Sequence, residues 1–254
     1  MSESPARYVV AVGSGKGGVG KSTVALNLAL GLARRGRAVG LLDADVYGPD
    51  LPLMINLARR EDARQWDFWR GGDVRHEPLE THRIRLMSVG FLLGERQALT
   101  LGAPLLGAAL RQLVHRVEWG TLDVLLLDLP PGTADLPQQL LGVVTLDGAV
   151  VVVGPQDVAH LDARKFVTFL RGANVRVLGA VENMSGLHCP HCGEEIEVFQ
   201  PVATSRSIWA EDVIPLGRIP LDPRLAKLNG VVAQADAFDA VAEHVWAALE
   251  RDTA

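Results

Sequence analysis

The stretch GKGGVGKS, residues 15–22, fits the pattern G-x-x-x-x-G-K-[ST], and its context leaves little freedom of fold. An apolar run, Tyr8–Val12, precedes it, and an apolar-periodic segment, Ser22–Arg34, follows it. Strand, glycine-rich turn and helix in that order make a phosphate-binding loop. Glycines let the backbone wrap closely around phosphate oxygens with its N–H groups turned inward. The start of the helix adds the positive end of its dipole. Gly15, Lys16, Gly17, Gly18, Val19, Gly20, Lys21, Ser22 and Thr23 are therefore the expected nucleotide contacts. Lys21 is expected to reach the β- and γ-phosphates, and the Ser22 hydroxyl to ligate Mg²⁺.

The remaining chain repeats the alternation. Short apolar runs occur at Val39–Leu42, Ile84–Val89, Val124–Leu127, Ala149–Val153, Val175–Val181 and Val213–Leu216. Helix-like stretches lie at Gly102–Val117, Asp135–Val144, His160–Arg171 and Asp236–Glu250. Continuous β-branched runs alternating with amphipathic segments predict an α/β fold: a doubly wound, mostly parallel sheet with helices on both faces. No repeat or low-complexity linker interrupts the chain, so residues 1–254 read as a single domain. Two segments break the rhythm. Arg59–His76 is polar and reads as a surface excursion, while Leu187–Pro201 reads as a loop or small hairpin projecting from the sheet.

Carboxylates belong beside a Mg²⁺–triphosphate, and the strand ends supply them. Leu41–Asp45 (LLDAD) ends one apolar run with Asp43 and Asp45, and Leu125–Thr133 (LLLDLPPGT) ends another with Asp128. In parallel α/β sheets ligands collect at the carboxyl ends of strands, which is where these acids fall. Asp128 reads as a Walker-B-type acid holding Mg²⁺ through water. A turn cap is the alternative reading of Asp43.

A net charge of −5 and a pI near 5.8 speak against a broadly nucleic-acid-binding surface. The five-residue apolar run near the N-terminus is too short for a signal peptide, and no stretch is long and apolar enough for a membrane span, so a cytoplasmic location is expected. The chain has only two cysteines, Cys189 and Cys192, flanked by His188 and His191. In a reducing compartment so close a pair points to metal or redox chemistry. Soft thiolates suit an iron–sulfur cluster or zinc. A redox-active pair would favour the start of a helix, and this one precedes glutamates.

The segment KGGVGKST resembles the deviant phosphate loop of the ATPase class that includes nitrogenase iron protein and the Min and Par partitioning ATPases. Further segments narrow the match: DADVYGPDLP (43–52), WGTLDVLLLDLPPGTAD (119–135), LDGAVVVVGPQDVAHLDARK (146–165), VLGAVENMSG (177–186), CPHCG (189–193) and LGRIPLDP (216–223). In this order they resemble the Mrp/ApbC family of iron–sulfur cluster carrier ATPases over nearly the full length. The resemblance implies slow ATP hydrolysis and a homodimer in which Lys16 reaches the partner's nucleotide. It implies that Asp45 orients the attacking water, that Asp43 supports the Mg²⁺ shell, and that Pro130, Pro131 and Gly132 sense the γ-phosphate. Asn183, Pro220 and Asp222 are the implied adenine contacts. Cys189 and Cys192 of two protomers would bridge a [4Fe–4S] cluster destined for apo iron–sulfur proteins, with no nucleic acid or membrane involved. A positioning-type ATPase switch and a structural zinc at the cysteines are the alternatives. The chain departs from the family pattern at Leu101–Pro104, at Ala134 and at residues 200–210.

Overall fold

The order of the chain along the sheet places its ligand edge. A computed structural model describes residues 4–46, 48–56, 75–91, 103–133, 135–189, 191–222, 225 and 235–251. In chain order these form β1 (Tyr8–Gly13), α1 (Lys21–Arg34), β2 (Val39–Asp43), α2 (Leu51–Met54), β3 (Leu79–Thr81), β4 (Ile84–Ser88) and α3 (Ala103–His115). There follow β5 (Val124–Asp128), α4 (Asp135–Leu141), β6 (Gly148–Val153), α5 (Asp157–Gly172), β7 (Val177–His188), β8 (Glu195–Ile196), β9 (Pro215–Leu221) and α6 (Ala235–Glu250).

Among the described residues nine strands share one sheet, ordered β3-β4-β2-β5-β1-β6-β7-β8, with β9 also on β7. All pairings are parallel except β3 with β4 and β7 with β8. β1, β2, β5 and β6 are buried at every position, which is why they read as unbroken apolar runs rather than alternating ones. The chain leaves β1 towards β2 and β4, then returns past β1 to β6 and β7. Crossovers in two opposite directions put helices on both faces, as the sequence implies. The direction reverses at β1, and there the loop 14–20 emerges.

The helices close the core. α6 packs on α1 and β9, burying Phe238, Val241, Val245 and Trp246. The Trp246 ring meets Tyr8 of β1 edge-on at 5.8 Å, and the Arg37 guanidinium lies over it at 4.0 Å. The acidic positions of α6 face outward to basic partners, as in Arg34–Asp239. The amphipathic C-terminal segment is thus a structural helix docked on its own sheet.

Two features differ from the sequence expectation. β7 runs to His188, seven residues beyond the apolar run, because β9 and then β8 supply its later backbone partners. β3 and α2, three and four residues long, are too short to register as periodic patterns. The segment after His188 is a small hairpin, one of the two forms expected for residues 187–201, with Leu187 opposite Ile196. Most of the polar stretch 59–76, together with Gly102 and Ala134, lies outside the described residues.

Candidate nucleotide site and cysteine turn

The loop after β1 owes its shape to two glycines with no room for a side chain. Gly20 has φ of +80° and caps the N-terminus of α1, and a Cβ there would lie 2.2 Å from Asn183 Nδ2. A Cβ on Gly15 would lie 2.2 Å from the backbone carbonyl of Asp162 in α5. Buried Ser14 ties the loop together: its hydroxyl donates to the Lys16 carbonyl at 2.9 Å, and its own carbonyl accepts from Gly132 N–H at 2.8 Å. The Pro130–Gly132 segment is thereby bonded directly to the phosphate loop.

Behind the loop stand charges that folding has removed from water. Lys21 Nζ lies 2.7 Å from Asp128 Oδ1 and 3.2 Å from Ser22 Oγ, with Lys21 and Asp128 both buried. Asp43 and Asp128 are directly opposite in the β2–β5 register. Ser88, at the end of β4, donates to Asp43 Oδ2 at 2.9 Å, and Asp45 N–H approaches Asp43 Oδ1 at 3.3 Å. Burial pushes the Asp43 carboxyl well up, and the neighbouring Asp128 charge adds to the rise. Burial raises Asp128 too, with Lys21 pulling it back. Asp128 Oδ2 is buried and has no hydrogen-bond partner among the described residues. A raised carboxylate pair with one oxygen unused, next to a serine hydroxyl, is a donor set that fits a hard divalent cation.

In front lies an open cavity of about 510 Å³. Ser14, Lys16, Gly17, Gly18, Gly20, Lys21, Ser22 and Thr23 line it, together with Asp45, Gly48, Asp50, Leu53, Met54, Pro131 and Leu225. Lys16 is half-buried and makes no ion pair among the described residues. Gly15, Val19, Asp43 and Asp128 are packed behind this lining. Asn183, Pro220 and Asp222 are outside it as well. Asn183 is buried and donates to the Val19 carbonyl at 2.9 Å, while Asp222 is buried with its carbonyl accepting from Leu225 N–H at 3.0 Å. Sequence reasoning missed Ser14, Ser88 and the α2 side of the cavity. Ser14 had a visible signal, its place between the strand and the first loop glycine; Ser88 had none, since only the β2–β4 pairing brings it to Asp43.

The cysteines sit in the turn between β7 and β8. Cys189 N–H donates to the Glu194 carbonyl at 2.8 Å, and Gly193 N–H to the Cys189 carbonyl at 2.9 Å. Both thiols are free, Cys189 half-buried and Cys192 exposed. The backbone N–H of Cys192, then that of His191, then the Cys192 thiol hold the Cys189 thiol below its ordinary range. Among the described residues no group of three or more His, Cys, Asp or Glu side chains is arranged to hold a metal ion, so each chain brings two thiols. No described helix is long and apolar enough to cross a membrane.

Comparison with known proteins agrees with this geometry. An iron–sulfur cluster transfer protein of Dictyostelium discoideum, NUBPL, is 41% identical over 215 residues, which cover 85% of this chain and 65% of the relative. An iron–sulfur cluster carrier protein of Aquifex aeolicus is 42% identical, covering 87% and 59% respectively, and one of Deinococcus radiodurans 45%, covering 87% and 61%. The chain thus spans about three fifths of the length of these relatives. Among solved structures, the nucleotide-binding protein of Archaeoglobus fulgidus in complex with ADP superposes with a TM-score of 0.73 at 35% identity, over 94% of this chain and 89% of that one. The cell-division ATPase MinD of Pyrococcus furiosus shares the fold, with a TM-score of 0.68 at 21% identity, over 94% and 98%. The family model described as ParA, NUBPL iron-transfer P-loop NTPase, matches residues 6–248, and the chain belongs to that family.

Proposed function

We propose that the chain is an ATP-hydrolysing carrier of an iron–sulfur cluster, acting as one ATPase domain in a homodimer. The observation that carries the reading is the pairing, on one sheet, of a complete phosphate loop with a turn that offers only two thiols. A [4Fe–4S] cluster takes about four thiolates, so two copies of the Cys189–Cys192 turn must meet to hold it. The cluster is cargo, bound near the surface and passed to an apo iron–sulfur protein. The cluster-carrier relatives support that assignment.

The loop N–H groups of Gly15–Ser22 hold the phosphates. Lys21 exchanges Asp128 for the β- and γ-phosphate oxygens, and Lys16 extends to the nucleotide of the second protomer. Asp45 orients the attacking water, and Asn183, Pro220 and Asp222 flank the base. Ser22, Asp128 and Asp43 fit Mg²⁺, which neutralises charge on the phosphates when bound. Gly132, bonded to Ser14, lets the 130–132 segment follow the γ-phosphate. The reading places the protein in the cytoplasm, with neither nucleic acid nor membrane as partner.

Anaerobic isolation with iron, sulfide and zinc analysis tests it, on wild type and on Cys189→Ala/Cys192→Ala. About four iron and four sulfide per dimer, absent from the variant while ATP binding persists, is the expected result. About one zinc per dimer without sulfide would make the turn a structural clasp.

A further inference from the structure

The phosphate loop and the cysteine turn are far apart in sequence, yet one strand touches both. Asn183 of β7 is the contact to the loop: its buried amide donates to the Val19 carbonyl at 2.9 Å. Met184 is the next residue, and its Cε lies 3.5 Å from where a Cβ on Gly20 would be. Both side chains therefore lie beside the last two residues before Lys21. Six residues further, at most about 20 Å of extended chain, β7 delivers Cys189.

β7 is not a plain rod between these points. Pairing with β6 ends at Glu182. Asn183 is opposite Ile219 and Leu187 opposite Leu221, so four steps along β7 match two along β9. Within that bulge Met184 has φ of +61°, a left-handed backbone that is strained for a residue bearing a side chain. Arg218 of β9 bridges the bulge, donating to Glu182 Oε2 at 2.9 Å and to the Ser185 carbonyl at 3.2 Å. Strain held in place by contacts on both sides, at a point where a strand changes partners, is a feature packing alone does not require.

We infer that Asn183 and Met184 are positioning residues through which the state of the phosphate loop sets the geometry of the cysteine turn. When the loop closes on phosphates, the Val19 carbonyl and Gly20 move against the Asn183 amide and the Met184 side chain. The bulge absorbs or releases that displacement, and Leu187–Cys189 shift with it. The inference deepens the carrier reading and rests on nucleotide binding at the loop.

Cysteine alkylation tests it without any cluster. Iodoacetamide labelling of Cys189 and Cys192 in the metal-free protein is followed by peptide mass spectrometry. Samples contain no nucleotide, ADP, or a non-hydrolysable ATP analogue with Mg²⁺, each saturating by its own binding titration. Light scattering confirms one common mass across the samples. Wild type should show a rate difference of about fivefold or more between nucleotide states, the low end of ordinary two-site coupling. In Met184→Gly, which releases the left-handed strain and the Gly20 contact, and in Asn183→Ala, the difference should collapse towards unity. A wild type that binds nucleotide without any rate change overturns the coupling. So does a Met184→Gly protein that binds nucleotide and keeps the full response. A wild type that binds no nucleotide overturns the reading of the phosphate loop itself, and the coupling with it, whereas a nucleotide-responsive protein whose separate anaerobic isolation yields no iron or sulfide overturns only the carrier reading.

Discussion

Lys21 Nζ and Asp128 Oδ1 are 2.7 Å apart, and both side chains are shut away from solvent. A buried ion pair of this kind returns little net stability, because desolvation offsets its attraction. Its value lies in exchange. On the proposed function, phosphate oxygens entering the cavity would offer Lys21 a replacement partner and leave Asp128 free to meet a cation. The pair therefore keeps an otherwise expensive lysine poised at the cavity wall.

Lys21→Ala follows directly. Loss of the cation leaves Asp43 and Asp128 side by side, but burial already raises both carboxyls, so one takes up a proton and the fold survives. Nucleotide affinity should fall about 10- to 100-fold, the worth of roughly 1.5–3 kcal/mol for a hydrogen bond to a charged group. Calorimetric titration beside a thermal melt separates the two effects. A melt collapsing along with affinity would make Lys21 a structural residue first.

Two loop glycines should behave oppositely. A Cβ on Gly15 meets the immovable backbone of Asp162 at 2.2 Å, whereas one on Gly17 finds only Pro131 Cγ at 3.9 Å. Gly15→Ala should destabilise the fold by about 1–3 kcal/mol through overpacking. Gly17→Ala should leave the melting temperature near wild type and weaken nucleotide binding, since Gly17 lines the cavity. Equal melting temperatures for the two variants would mean that α5 does not in fact bear on the loop.

Glu182 gives a pH dependence with a defined sign. His160 Nδ1 accepts from Ile208 N–H at 3.2 Å, and its Nε2 lies 3.7 Å from Glu182 Oε1. The adjacent His160 side chain lowers the Glu182 carboxyl most, and Arg218 adds to it against the opposing effect of burial. A carboxyl lower in the folded than in the unfolded chain stabilises the fold above its unfolded value, and the gain is lost as pH falls through the folded value. Glu182→Gln should cost about 1–2 kcal/mol at pH 7. In denaturant titrations across pH the deficit should shrink on the acid side of the usual carboxylate range. A deficit that does not change with pH would assign it to packing.

How much of this was legible beforehand depends on how local the physics is. The phosphate loop, Asp43 and Asp128 are specified by residues adjacent in sequence, and the apolar runs of β1, β5 and β6 are long enough to show. The Asn183–Val19 hydrogen bond joins residues 164 positions apart, and no pattern near Asn183 marks it. Ser88 reaches Asp43 only because β4 pairs with β2. β7 outruns its apolar stretch because its last residues are held by backbone pairing, which hydrophobic periodicity does not record. The Met184 kink is likewise set by the mismatch between β7 and β9, a property of two segments rather than one.

The cysteine turn offers a final prediction. Backbone N–H groups of Cys192 and His191 lower the Cys189 thiol more than the Cys192 thiol does. Thiolate is the nucleophile, and each unit by which a thiol is lowered raises its thiolate fraction tenfold below the midpoint. Intrinsic nucleophilicity falls only about threefold over the same interval, so the net gain is about threefold per unit. In the metal-free protein the alkylation midpoint of Cys189 should therefore lie below that of N-acetylcysteine measured alongside. Cys192→Ala removes one thiol and leaves both N–H groups in place, so most of the depression should persist. A midpoint in Cys192→Ala equal to that of N-acetylcysteine would mean that the thiol pair, and not the folded turn, prepares Cys189. The turn would then lack the preorganisation for a soft ligand that its backbone hydrogen bonds imply.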